Sequence, residues 1–224
     1  MLYFKSAALC RKLIICATRN HFDLLYPYFS RYLKRTYTDG RLPLNVLIAI
    51  FPSMPSQLSP PPKLIPWLTS VDFLTKKLHT CSGHTQLTVL EHRWINTSWW
   101  DRYVLNLECN RVLSREIAML AWDVPCWYAR TIIPIKTYQA DAKLFNQLEQ
   151  TTLGHLIFNG NKINRESLTY YAIDKQSIEY HWLPEGMDCN SEVLWVRLSK
   201  FVLASCDPFY LIEIFLPGLE KYLC

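Results

Sequence analysis

The sequence predicts an α+β domain in which helices flank a run of antiparallel strands. Residues 85–135 contain four successive segments of strand-like pattern, and the last two form a hairpin. Two further apolar strands, 193–204 and 208–216, lie near the end of the chain. Helical segments precede and separate these groups of strands. This grouping is typical of an α+β domain, because α/β domains alternate strands with helices along the chain.

Charge and proline content divide the 224 residues into two parts. Residues 1–60 carry eight Lys or Arg and two acidic residues, whereas the remainder carries 16 basic and 17 acidic residues. A helical pattern over 3–36 is interrupted by Pro27, and a Pro/Ser-rich stretch ends at 62. We therefore expect a basic, partly helical N-terminal extension and linker over 1–62, and a folded domain over 63–224. The basic surface is interpreted as a solvated helix face, with contact to anionic lipid or nucleic acid as the alternative.

The folded part begins with a predicted helix over 64–79, in which Trp67, Val71, Leu74 and Leu78 form one apolar stripe. Four strands are then predicted over 85–92, 101–108, 112–122 and 126–135. Asp123, Val124 and Pro125 separate the last two strands as a hairpin turn. Two helices follow over 141–149 and 151–158. The remaining strands are predicted over 167–173, 193–204 and 208–216, with a turn at 206–208.

Cysteine usage and hydropathy favour a cytoplasmic protein. The eight cysteines are scattered without a CxxC pair, so buried, reduced thiols are expected. His79, Cys81 and His84 form an H-x-C-x-x-H cluster, but no fourth ligand lies nearby in sequence, and no metal is expected there. The longest early apolar stretch, 13–17, is far shorter than the roughly 20 residues of a spanning helix. We therefore expect no membrane insertion, no nucleic-acid partner and a monomer.

Two kinds of charged residue stand in apolar strands. Glu213 shares a face of its strand with Phe209, Leu211 and Phe215, and a buried carboxylate is costly unless it is paired or protonated. We therefore expect Glu213 to line a cavity or to meet a cation. Arg115 and Arg130 lie on the two strands of the hairpin, and an inward-facing guanidinium suits a carboxylate ligand. The alternative is that either arginine pairs with Glu116 or Asp123.

Residues 151–154, Thr-Thr-Leu-Gly, resemble the start of a helix. The first backbone N–H groups of a helix have no partner within it and can receive an anion. An ordinary helix cap is the alternative interpretation of this pattern.

Several stretches, in this order, resemble the chorismate–pyruvate lyase family. They are Trp67-Leu68 to Lys76-Lys77, Arg115-Glu116-Ile117, Ala129-Arg130-Thr131-Ile132-Ile133-Pro134, Thr152-Leu153-Gly154-His155-Leu156-Ile157-Phe158 and Glu213-Ile214-Phe215-Leu216-Pro217. The resemblance covers residues 64–218. It implies a single antiparallel sheet with helices covering a buried ligand cavity. It also implies cleavage of chorismate to 4-hydroxybenzoate and pyruvate, the first step of ubiquinone biosynthesis, without a cofactor.

The resemblance also implies roles for individual residues. Arg115 matches the arginine that binds a substrate carboxylate, and Glu213 matches the glutamate that contacts the ligand. These two are the expected catalytic residues. The backbone amides of Leu74 and Leu153 are expected to bind the substrate as well. Arg130 and Gly154 are assigned supporting roles.

The chain departs from the family pattern at three positions. Ala129 stands where glycine is common, Thr152 replaces a usual proline, and Leu198 replaces the second arginine of a Trp-Gly-Arg-Arg-Ser stretch, seen here as residues 195–199. Two other classes of function remain open. One is a non-catalytic domain that binds a small aromatic acid as an effector. The other is a purely structural role in which Arg115 and Glu213 form a buried ion pair with no pocket between them.

Overall fold

The computed structural model describes residues 58–72, 74–149, 153–154, 156, 163–187, 191–203 and 208–223. These residues form one six-stranded antiparallel sheet with short helices, so the predicted α+β class is confirmed. The strands run in the spatial order β1-β2-β3-β6-β5-β4. Their bounds are β1 Gln86–Asn96, β2 Arg111–Ala121, β3 Val124–Pro134, β4 Ile163–Asp174, β5 Val193–Leu203 and β6 Phe209–Phe215.

The helices are short and stand mostly before or between the strands. The α-helices are α1 Ile65–Leu68, α2 Leu74–Ser82, α3 Trp99–Val104, α4 Ile135–Ala140 and α5 Ala142–Asn146. Three 3₁₀ helices cover Gln147–Glu149, Ile178–Trp182 and Pro217–Tyr222. Leu153, Gly154 and Leu156 are also helical, and the rest of the helix predicted over 151–158 lies outside the described residues.

The strand predicted over 101–108 is wrong, because this segment begins with helix α3. Ser98 caps the helix by accepting a hydrogen bond from the Asp101 amide, while the Asp101 carboxylate accepts one from the Ser98 amide. This reciprocal pair is a capping box, which satisfies two helix-end donors at once. Asn106 then has a φ of 54°, which no strand residue adopts. The aromatic residues of this segment therefore pack from a helix and not from a strand.

The hairpin of β2 and β3 is confirmed, with a tighter turn than predicted. Ala121 pairs directly with Val124, so only Trp122 and Asp123 form the turn. Both have positive φ, at 48° and 62°, as a two-residue turn that follows the twist of the strands requires. Val124 and Pro125 therefore belong to β3, and a register irregularity between Met119 and Leu120 accommodates the proline.

The helix predicted over 64–79 is two helices, and the described residues between them, 69–72, are not helical. Thr69 closes α1 by donating its amide to the Ile65 carbonyl, and α2 begins at Leu74. The interruption matters, because it leaves the carbonyl oxygens of the intervening segment available to side chains from the sheet. The strands predicted over 167–173, 193–204 and 208–216 are all present, although β4 begins at Ile163.

Both faces of the sheet are covered by apolar side chains. One face packs two clusters side by side. The first contains Trp67, Leu74, Leu78, Met119, Trp127 and Phe215, and the second contains Ile133, Phe145, Leu153, Phe201 and Phe209. The opposite face packs an aromatic-rich cluster that includes Trp99, Trp100, Tyr128, Tyr180, Trp182 and Tyr210. Burial of this apolar surface is the main favourable term in folding.

Residues 1–57 lie outside the described residues, so the N-terminal extension stays a prediction. Over the part of the chain that is described, no helix has the length and apolar character needed to cross a membrane. Cys109 and Cys126 are free thiols, as expected. Cys81 is instead joined in a disulfide, which corrects the expectation of uniformly reduced cysteines. The cysteine bonded to it lies outside the described residues.

Candidate active site

A small pocket lies on the sheet where the two apolar clusters of one face meet. All six strands contribute lining residues, and residues of α2 and the helical pair Leu153–Gly154 cover the pocket. Its volume is about 60 Å³ and it is partly open. Typical ligand sites measure roughly 300–1,000 Å³, so a ligand of more than a few atoms requires the covering residues to shift. The enclosed cavity implied by the resemblance stays a prediction.

Arg115 lies near the middle of β2 and lines this pocket. The register places it opposite Thr131 on β3, which also lines the pocket. Only 1% of the Arg115 surface is exposed. Desolvation by burial lowers the pKa of its guanidinium to about 10, so the group remains a cation at neutral pH. A buried cation beside a pocket favours an anionic ligand, because a carboxylate would replace the hydration that the guanidinium has lost.

Glu213 lines the same pocket and pairs with Arg197. The two residues are directly opposite each other on β6 and β5, and Arg197 Nε donates to Glu213 Oε2 at 2.6 Å. Both side chains are almost fully buried. The sequence predicted that Glu213 would line a cavity or meet a cation, and the structure has both. The cation is Arg197, so the structural alternative of an Arg115–Glu213 pair with no pocket between them does not describe this site.

Arg197 and Arg165 connect the sheet to the segment between α1 and α2. Arg197 Nη1 donates to the carbonyl oxygens of Trp67 at 3.4 Å and Ser70 at 3.0 Å. Arg165 Nη1 donates to the carbonyl oxygens of Ser70 at 3.3 Å and Val71 at 3.0 Å. Burial, followed by the nearby charge of Arg197, lowers the pKa of Arg165. These bonds fix the segment that leads into Leu74.

Leu74 and Leu153 line the pocket from its covering side, together with Gly154. Leu74 is the first residue of α2, so its amide has no acceptor within that helix. The structure thus brings Leu74, Arg115, Leu153, Gly154 and Glu213 to one pocket, although their positions span 140 residues of sequence. Their roles toward a substrate remain predictions.

Arg130 is the predicted site residue that the structure places elsewhere. It is adjacent to Thr131, so strand alternation turns it to the opposite face of the sheet. There its Nη2 lies 3.8 Å from Asp101 and its Nε lies 3.9 Å from Glu116. Its guanidinium stacks over the Trp182 ring at 4.8 Å. The sequence left pairing with Glu116 as the alternative for this arginine, and the structure has that contact. Any supporting role of Arg130 toward the pocket would have to act through the sheet.

Sequence reasoning did not assign Arg165 and Arg197 to the site. Arg197 carried a usable signal, because it is a charge inside the apolar strand 193–203, as Glu213 is in β6. Arg165 carried none, since it follows a polar stretch and its strand has few buried residues. The missing family arginine at Leu198 has little effect on the pocket. Leu198 is on the opposite face of β5 from Arg197 and packs against the aromatic-rich cluster.

His79, Cys81 and His84 were the metal-ligand types that cluster in the sequence. Among the described residues, no group of three or more His, Cys, Asp or Glu side chains is placed to hold an ion. The cluster of His79, Cys81 and His84 also has its cysteine engaged in a disulfide.

The sequence was compared with known protein families and with individual proteins. The chorismate lyase family model matches residues 49–221. A protein of Shewanella sp. (strain W3-18-1) named "Probable chorismate pyruvate-lyase" is 30% identical over 74% of this chain and 86% of its own length. A protein of Erwinia tasmaniensis named "Chorismate pyruvate-lyase" is 25% identical over 83% of this chain and 95% of its own.

Among solved structures, the chain is similar to PhnF from Mycobacterium smegmatis. The identity is 13%, the TM-score is 0.45, and the match covers 66% of this chain and 65% of that one. A likeness of this size carries no argument about function. The match to the family model spans most of the sequence and includes every residue that lines the pocket, and on that basis the chain belongs to the chorismate lyase family.

Proposed function

We propose that this protein is a carbon–oxygen lyase that converts chorismate to 4-hydroxybenzoate and pyruvate, as the first step of ubiquinone biosynthesis. The observation that carries the proposal is the meeting of Arg115 and Glu213 at one pocket in a chain of this family. The names of the relatives from Shewanella and Erwinia support the same reaction.

The chemistry of chorismate suits a site that positions groups and places charges. The bond between a ring carbon and the enol ether oxygen breaks, and the neighbouring hydroxyl-bearing carbon loses a proton. The ring becomes aromatic, and the enol leaving group takes up a proton and becomes pyruvate. No electrons are gained or lost overall, so the balance requires no oxidant or reductant. Orientation and electrostatic stabilisation can then supply the rate enhancement.

The residues at the pocket divide this work. Arg115 binds the ring carboxylate through its guanidinium, and the amides of Leu74 and Leu153 hold the same group from the covering side. Arg197 engages Glu213 Oε2 and fixes the orientation of the carboxyl group. Glu213 Oε1 is then directed at the ring hydroxyl and the adjacent carbon, where it orients the ring or assists the proton movement.

The test is incubation of the purified protein with chorismate. We expect 4-hydroxybenzoate, measured by chromatography and absorbance, and pyruvate, measured with lactate dehydrogenase, in equal amounts. Binding of 4-hydroxybenzoate without any turnover would overturn the lyase and favour the effector-binding alternative.

The domain organisation and surroundings belong to the same proposal. We place the lyase domain at 63–224 with an accessory extension at 1–62, in a cytoplasmic monomer. The family match begins at residue 49, inside the predicted extension and just before its Pro/Ser-rich linker. Two truncated proteins, starting at residues 49 and 63, locate the boundary: full activity in both supports an accessory extension, whereas loss only in the shorter one moves the boundary to about residue 49.

A further inference from the structure

Arg165 lines the pocket, and its Nε–H has no acceptor among the described residues. It lies on β4 directly opposite Phe201 and stacks on that ring, with 5.1 Å between the guanidinium carbon and the ring centroid. Its hydrogen bonds to the described residues are both made by Nη1, to Ser70 and Val71. Its Nε is buried, and no acceptor lies within hydrogen-bonding distance among the described residues. A buried N–H is costly unless it donates to an acceptor, so this group is suited to donate to an oxygen of a bound ligand.

The other two arginines of the pocket have different tasks. Arg197 is committed to Glu213 and to the backbone of Trp67 and Ser70. Arg115 lies on β2, four strands away from β4 in the sheet order, or about 19 Å along the sheet. Arg115 and Arg165 therefore approach the pocket from two sides. A ligand that contacts both needs two acceptor groups separated by the width of the pocket.

The placement of charge in the pocket also suits a ligand with two separated carboxylates, because Arg115 and Arg165 lie on different strands. Three arginines line it, at positions 115, 165 and 197, against the two carboxylates of Asp72 and Glu213. Arg197 and Glu213 neutralise each other in a close ion pair. If the ligand has one carboxylate and that group binds Arg115, the negative charges that act on Arg165 are those of Asp72 and Glu213. Chorismate carries two carboxylates, whereas 4-hydroxybenzoate carries one.

We propose that Arg165 binds the second carboxylate of the substrate, the one on the enolpyruvyl group that leaves as pyruvate. This inference rests on the proposed lyase function. Nε and Nη2, which form the side-on edge of the guanidinium, donate two hydrogen bonds to the carboxylate oxygens. Nη1 keeps its bonds to Ser70 and Val71, so ligand binding does not require that segment to be released.

The experiment compares a ligand with two carboxylates and a ligand with one. The probes are 3-(1-carboxyvinyloxy)benzoate, an aromatic enol ether that cannot react, and 4-hydroxybenzoate. In Arg165→Gln we expect the Kd of the dicarboxylate to rise about 10- to 100-fold, the size expected for lost charged hydrogen bonds. The Kd of 4-hydroxybenzoate should change by less than about threefold. The KM for chorismate should rise with the dicarboxylate Kd, and kcat should change less.

Arg93→Gln is the matched control, because Arg93 is an exposed arginine on β1 that pairs only with Glu91 in the described structure. It should leave both affinities unchanged. Equal weakening of both ligands in Arg165→Gln would show that Arg165 acts only through the segment at 70–71, and would overturn the inference. An unchanged dicarboxylate Kd would overturn it as well. Selective weakening in a protein that never turns over chorismate would support Arg165 and refute the lyase.

Discussion

The two faces of the sheet both bury charged side chains, but they use them differently. On the opposite face, charges join the covering elements to the sheet. Asp101 caps α3 and lies 3.8 Å from Arg130, and Glu179 of a 3₁₀ helix accepts hydrogen bonds from Trp100 Nε1 and Tyr171 OH. On the pocket face, all the lining charges except Asp72 belong to the strands themselves, and Arg165 and Arg197 donate hydrogen bonds to backbone carbonyls of the covering segment.

This difference teaches that burial of a charge does not identify a functional residue. Arg115 and Arg130 are both buried arginines of one hairpin, and Glu179 is as buried as Glu213. What separates them is the side of the sheet and the presence of a pocket. This distinction between the faces is tested by substituting matched residues on each face and by measuring activity and stability separately.

The largest expected effect is that of Arg115. Arg115→Ala should reduce kcat/KM for 4-hydroxybenzoate formation by about 10³-fold, because the carboxylate loses its charged partner in a buried site. Arg130→Lys, which keeps the charge on the opposite face, should stay within about threefold of the native rate. Steady-state assays of both variants make the test. Near-normal turnover in Arg115→Ala would refute the assignment, and an equal loss in both variants would show that the faces are not distinct.

Arg115 should also reveal a conflict between stability and function. Its pKa is lowered to about 10 by desolvation, so the folded state disfavours the charged form. The unfolded chain therefore binds the proton more tightly, and the destabilisation is fully present below pH 10 and fades as pH rises above it. Arg115→Met should raise the unfolding free energy at pH 7 by up to about 3 kcal/mol, measured in urea, while activity is lost. A large decrease in stability would instead indicate that Arg115 is a structural residue.

A smaller effect is expected for the two buried glutamates. Glu213→Gln should lower kcat by about 10²-fold if the carboxyl group assists the proton movement. Glu179→Gln is the control on the opposite face, because the glutamine amide oxygen can still accept from Trp100 and Tyr171. It should leave kcat unchanged. An unchanged kcat in Glu213→Gln would restrict that residue to orienting the substrate.

The sequence predicted the sheet better than it predicted the site. The alternating apolar pattern of the central strands fixes which side chains face the core, because a shift of one residue would expose every apolar side chain. The same alternation placed Glu213 with Phe209, Leu211 and Phe215. The strand prediction failed at 101–108, because the Ser98–Asp101 capping box starts a helix just before this segment.

The failures at the site have a related cause. Arg130 was grouped with Arg115 because both are arginines of the same hairpin, yet the register pairs Arg115 with Thr131 and turns Arg130 away. Arg165 could not be found at all from its neighbours in sequence. Its importance arises from strand order and from the carbonyl oxygens of Ser70 and Val71, which are about 95 residues away along the chain. Local pattern gives the face of a residue, whereas the pocket depends on which strands become neighbours.

The smallest expected effect concerns the stability of the opposite face and its dependence on pH. Burial raises the pKa of Glu179, although hydrogen bonds from Trp100 and Tyr171 oppose the shift. The folded state therefore disfavours the ionised carboxylate, and this penalty is present above the folded pKa and disappears as pH falls below the unfolded value. Glu179→Gln removes the titration while it keeps the acceptor, so the variant should be more stable than the native protein at pH 7. The advantage should shrink toward zero near pH 4. Urea unfolding across this range measures it, and an advantage that grows on acidification would mean that the ionised Glu179 stabilises the fold.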